Sequence, residues 1–112
     1  MTVFVVQQQM KYDRDKGELV PRFPSINKAE VFGELRHILS PSAHPFNSES
    51  VLGDIHETLS GFGDQDLLLL IGNPVLIGMC VAVAAYYNAG RVRMLQWSGR
   101  HNRYTEISAK IF

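Results

Sequence analysis

Between Leu67 and Tyr87 the chain carries one strongly polar side chain, Asn73. A run this apolar leaves few folds open. It is long enough to cross a membrane as a single helix, but Asn73-Pro74 lies inside it and would break that helix. The alternative is a strand, a tight turn and a buried helix. Leu67–Ile71 is a continuous apolar run of strand length, the pattern of a strand covered on both faces. Gly72 ends it, Asn73 can cap a helix, and Pro74 suits the first helical position, where a missing N–H costs nothing. The helix then runs from Pro74 to about Ala89, with Gly90 as a left-handed residue after its end.

That helix is apolar on nearly every side, so something must cover every side. Gly78, Ala82, Ala85 and Ala89 fall at spacings of four, three and four on one face. Leu76, Cys80, Val83 and Tyr87 fall on the opposite one. A chain of 112 residues has little material to bury such a helix completely. Two arrangements answer this: a homodimer that meets on the small-residue face, or a sheet on one side and the terminal hairpins on the other.

The rest of the chain reads as one domain built around this unit. Thr2–Met10 is rich in β-branched and aromatic residues and reads as a strand. With the charged turn Lys11–Glu18 and the apolar Leu19–Phe23 it forms an N-terminal hairpin, whose second strand lies at an edge because of Pro21. The segment 25–40 is ambiguous by periodicity; a turn or short helix over 27–32 and a strand over 33–39 fit it best. Ser40–Ser50, SPSAHPFNSES, is a loop. Val51, Leu52, Ile55, Leu59 and Phe62 mark an amphipathic helix, with Ser48 or Ser50 as its cap. After Gly90, Arg91–Trp97 and Arg103–Ile111 alternate about a polar turn, a C-terminal hairpin. The fold class is therefore α/β: a single domain and a mixed sheet, with an N-terminal hairpin, one β-α-β crossover over residues 33–71, a buried second helix and a C-terminal hairpin.

The crossover brings two loops to one carboxyl edge of the sheet, where open α/β sheets bind ligands. Gly72, Asn73 and Pro74 ahead of a helix form an anion-binding arrangement, and Ser40, Ser42, His44 and Asn47 can add polar contacts. No glycine-rich phosphate loop is present, and every β-to-α turn shares something of this character. A second candidate is the C-terminal hairpin. Arg91, Arg93, Trp97, Arg100, His101, Arg103 and Tyr104 mix cations with aromatics, as in single-strand nucleic-acid binding. Residues 91–112 are net four positive in a chain of eleven basic and eleven acidic residues. Overall neutrality argues against nucleic acid and for a solvated hairpin face with Trp97 packed on the core.

Catalysis finds less support. His37, His44, His56 and His101 show no metal-ligand spacing, and no cofactor motif appears. His44 is the histidine best placed to act as an acid or base, yet no activated nucleophile stands beside it. The lone cysteine, Cys80, reads as a small core residue. One cysteine and no signal-peptide pattern fit a reducing compartment, the cytoplasm. Gln7, Gln8 and Gln9 receive no role.

GELRHILSPSAHPFN, LLLLIGNPVLIG and GRVRMLQWSGRHNRY occur in this order from Gly33 to Tyr104. These blocks resemble small uncharacterised proteins encoded in bacteriophage genomes. The resemblance implies a viral origin, an accessory role and residence in the host-cell cytoplasm, and carries over no catalytic residue. Ala89-Gly90 stands where those proteins have paired glycines, and Arg36-His37 where they are more apolar, which sits poorly with a buried strand over 33–39. The function expected first is a non-enzymatic binding module, a homodimer with a host protein as a further partner. A nucleotide- or phosphate-binding protein using Gly72-Asn73-Pro74 comes second, and single-strand nucleic-acid binding third.

Overall fold

The computed structural model describes residues 1–112, the side chain of Pro24 excepted. Ten elements follow one another: β1 (Thr2–Gln7), β2 (Met10–Asp13), β3 (Glu18–Pro21), a 3₁₀ segment (Pro24–Phe32), β4 (Glu34–Leu39), α1 (Ser48–Leu59), β5 (Leu67–Leu69), α2 (Pro74–Tyr87), β6 (Arg91–Ser98) and β7 (Arg103–Lys110). The main sheet has the order β4-β1-β5-β6-β7. β1 pairs in parallel with both β4 and β5, β6 is parallel to β5, and β7 returns antiparallel to β6. The mixed α/β class and the strand-turn-helix reading of Leu67–Tyr87 both hold.

The N-terminal hairpin is paired differently from the expectation. Its strands are β2 and β3, in a two-stranded sheet of their own. Thr2–Gln7 is not part of it; that strand lies inside the main sheet. The reason is burial. Val3 and Val5 are fully covered on one face, Phe4 and Val6 on the other. A strand covered on both faces gains most between two parallel neighbours. The chain leaves the sheet at Gln8-Gln9 and begins the hairpin at Met10.

Connection handedness then places the remaining elements. From β1 the chain steps one way across the sheet to β4; from β4 to β5 and from β5 to β6 it steps the other way. Right-handed crossovers require these connections to lie on opposite faces. Accordingly α1 and α2 pack together on one face, over Phe4, Val6, Ile38, Leu68 and Val92. The 3₁₀ segment covers the other, with Ile26 and Ala29 against Val3, Val5, Leu67 and Leu95. The expected crossover is present as β4-α1-β5, and it passes over β1. β4 is an edge strand, so Arg36 and His37 stay exposed. Arg36 lies 6.0 Å from the Phe4 ring centroid. Edge placement reconciles those two polar residues with a strand.

α1 begins at Ser48, earlier than its apolar stripe suggests, and Asn47 precedes it without a side-chain cap bond. α2 turns Leu76, Cys80, Val83, Ala84 and Ala85 inward, against the sheet and α1. Its opposite side remains open: Val75, Gly78, Ala82 and Tyr86 are exposed. The terminal hairpins do not cover it. Among the residues expected on the small face, Ala85 is buried and Ala89 lies beyond the helix end.

The chain turns through two left-handed residues at the end of α2. Ala89 has φ 53 and Gly90 φ 85, and the Gly90 N–H donates to the Ala85 carbonyl at 2.8 Å. A left-handed alanine costs about 1 kcal/mol. Ala89→Gly is expected to raise stability by about 0.5–1 kcal/mol, read from the urea midpoint. Burial pushes the Cys80 thiol up to about 12. Because thiolate is the reactive form, alkylation of native protein at pH ~8 is expected to be at least ~100-fold slower than in urea.

Candidate functional site

The connections that follow β1 and β5 run on opposite faces of the sheet, so the strand order reverses between the carboxyl ends of these two strands. Gln7 ends β1 at that point. It is 4% exposed, the one buried polar side chain among the described residues. Its amide Nε2 donates to the carbonyls of Ser40, Ala43 and Pro41 at 3.2, 3.0 and 3.4 Å. Its Oε1 accepts the Asn73 N–H at 3.1 Å. One side chain thus ties the loop after β4 to the turn after β5. Gly72, between them, has φ +125, and a Cβ there would lie 2.7 Å from Gln7 Cβ. Only glycine meets both conditions.

The expected ligand residues at this edge are assembled, and most of their polar groups serve one another. Asn73 Oδ1 accepts the Val75 N–H at 2.9 Å, the N-cap expected of it. Asn73 N–H is held by Gln7, and Pro74 has none to offer. The Ser40 and Ser42 hydroxyls lie 2.9 Å apart. His44 Nδ1 accepts the Phe46 N–H at 3.3 Å and its ring lies beside Phe46. Asn47 leads into α1.

The C-terminal hairpin divides its candidate residues between two ends. Arg91 and Arg93 start β6. Arg91 Nε pairs with Asp64 Oδ1 at 3.0 Å, and Asn88 donates to the same oxygen at 2.9 Å. The Arg91 and Asn88 bonds hold the Asp64 carboxyl below its ordinary range. Arg93 pairs with Glu106 and donates to the Asp64 carbonyl. Trp97, Arg100, Arg103 and Tyr104 lie at the other end, about 15–20 Å along the strand, on the same edge as Gly72. Trp97 and Tyr104 are cross-strand partners, their ring centroids 5.0 Å apart at 66°.

Here the two candidate sites meet. Trp97, Tyr104 and Gly72 line one crevice of about 250 Å³ together with Gln9, Phe23 and Ser25. Lys28 Nζ sits 5.4 Å from the Trp97 ring centroid. The Tyr104 hydroxyl donates to the Ser25 carbonyl at 3.4 Å. Burial pushes that phenol above its usual range, and the Ser25 bond opposes the shift. Gln7, Gln9, Phe23, Ser25 and Lys28 escaped the sequence reading. The glutamine run ending an apolar strand was the available signal for Gln7; the others depend on how the 3₁₀ segment folds back.

The histidines remain separate. His37 is exposed on β4, His101 lies in the last turn, and His56 Nδ1 lies 2.8 Å from the Tyr87 hydroxyl. Among the described residues no group of three or more His, Cys, Asp or Glu is placed to hold a metal ion.

One family model matches residues 1–111, that of the Phage Pam3 gp32-like protein. The chain belongs to this family. The Pam3 gp32-like family is a phage family, as the block resemblance implied, and its description names no activity. No curated protein and no solved structure matches the chain. No helix among the described residues is long and apolar enough to cross a membrane.

The latch at Gln7 generates a stability expectation. Gln7→Ala removes the side-chain partner of the Pro41 and Ala43 carbonyls and of the Asn73 N–H in a partly buried site, while the Ser40 carbonyl keeps the Ala43 N–H; a loss of about 2–4 kcal/mol is expected in urea unfolding.

Proposed function

We propose that the protein is a non-enzymatic interaction module that works as a homodimer in the host cytoplasm, its subunits meeting along the outer face of α2. The observation that carries this reading is the character of that face. Pro74–Tyr87 contains no charged residue, yet Val75 is 52% and Tyr86 70% exposed. Gly78 and Ala82 lie between them, also exposed, and the space about Gly78 is open.

A second copy is the occupant these features favour. A face without charge gives a charged partner nothing to read. Two-fold pairing sets the same apolar residues against each other, and Gly78 and Ala82, four apart, allow helix axes to approach to about 8 Å. Burying Val75, Met79 and Tyr86 on both copies contributes on the order of 1–2 kcal/mol per side chain. The His56–Tyr86–Tyr87 cluster, with Tyr86 and Tyr87 centroids 5.0 Å apart, closes one end of the strip.

Light scattering over a dilution series tests this. Wild type is expected at twice the chain mass at micromolar concentration. Ala82→Glu is expected to give a folded monomer, because an exposed alanine in the isolated subunit tolerates a charge within about 0.5 kcal/mol. A wild-type monomer at the highest concentration overturns the dimer and leaves the α2 face to a host protein.

A further inference from the structure

We propose that the crevice at the carboxyl edge binds a flat aromatic ring that carries an anionic group, the chemistry of a nucleotide. This stands apart from self-association: Val75, Gly78, Ala82 and Tyr86 do not line the crevice. Four observations support it.

The first is size. About 250 Å³ is below the roughly 300–1,000 Å³ of sites for drug-sized ligands and suits one ring system. The second is the wall. Trp97, Tyr104 and Phe23 offer aromatic surface, and Ile77 and Leu69 add apolar surface. Aromatic walls of this kind stack any base, since every base has a π-face. Gln9 and Ser25 bring an amide and a hydroxyl, groups that pair with the polar edge of a base.

The third is charge. Arg22 lies over the Phe23 ring and Lys28 over the Trp97 ring, and Arg100 and Arg103 stand in the segment that joins Trp97 to Tyr104. None of these four cations has a carboxylate partner among the described residues, whereas Arg91 and Arg93 at the far end both do. Arg22 and Lys28 are held against the Phe23 and Trp97 rings, at 5.8 and 5.4 Å. Two cations without a carboxylate partner thus border the ring sites, which suits a phosphate outside and a base inside. The fourth is position. The crevice flanks the point where strand order reverses, where open α/β sheets take their ligands. The N–H groups of Asn73 and Val75 are already bonded within the chain, so the phosphate meets side-chain cations and not the start of α2.

Trp97 is the single tryptophan, so intrinsic fluorescence reports on the crevice directly. The full chain is titrated with adenosine 5′-monophosphate, adenosine, inorganic phosphate and a ten-residue oligothymidylate. The expected result is saturable quenching by the monophosphate, with adenosine at least ~10-fold weaker and phosphate alone silent at matched concentration. Phe23→Ala and Lys28→Ala, both at exposed positions, are each expected to weaken the monophosphate at least ~5-fold, and Ala82→Glu to leave it unchanged. An oligonucleotide that binds ~10-fold tighter than the monophosphate, with steep salt dependence, identifies a single strand as the source of the base. Equal or weaker oligonucleotide binding identifies the free nucleotide. Absence of saturable quenching by either ligand up to about 10 mM overturns the proposal. So does phosphate binding as tightly as the monophosphate, or monophosphate binding that is unaffected in both variants.

Discussion

One buried amide organises the carboxyl edge of this protein. Gln7 gives its amide hydrogens to carbonyls of the loop after β4 and takes the first N–H after Gly72 with its oxygen. A polar group out of water costs about 1–3 kcal/mol when unpaired and contributes a modest net stabilisation when paired. The side chain is therefore set by its neighbours, and the neighbours by it. Gly72 must lack a Cβ so that the turn can approach the end of β1. Asn73 can then begin α2 where its backbone meets Gln7. The position of the most apolar helix in the chain thus depends on a glutamine in the first strand.

The same latch determines what this edge offers a ligand. The polar groups expected there are turned to one another and to Gln7, so the loops form a closed shoulder. The opening lies next to it, over β5 and β6, where the 3₁₀ segment returns across the sheet and Phe23 and Ser25 line the crevice with Trp97 and Tyr104. Arg22 and Lys28 lie over two of its rings, while the outer face of α2 carries no charge. Surfaces so different in chemistry suit different occupants.

Much of the fold was legible because periodicity and punctuation are local. The quadruple leucine and Gly-Asn-Pro marked strand, turn and helix, and Leu67, Leu68 and Leu69 are covered on both faces as such a run requires. Alternation in Arg91–Trp97 and Arg103–Ile111 marked a hairpin that forms with Trp97 opposite Tyr104. The first strand was misplaced in a hairpin although VFVV is as continuous as LLLL. Proximity to a turn outweighed the equally local sign that both its faces needed cover. The small residues of α2 marked a face, but Ala85 turns inward and Ala89 leaves the helix, since neither helix end nor final rotation is set by spacing alone.

By itself the sequence determined which segments are apolar on one face or on both, where turns interrupt them, and that a neutral chain of this length forms one α/β domain. Only the tertiary structure decided what each apolar face meets. It placed β1 between β4 and β5, brought Gln7 to Asn73 across 66 residues, and joined Gly72 to Trp97 and Tyr104 while parting both from Arg91 and Arg93. The physical reason is that burial patterns record how much water a side chain must lose. They do not record which partner removes it. That choice belongs to strand order and crossover handedness, properties of the whole chain.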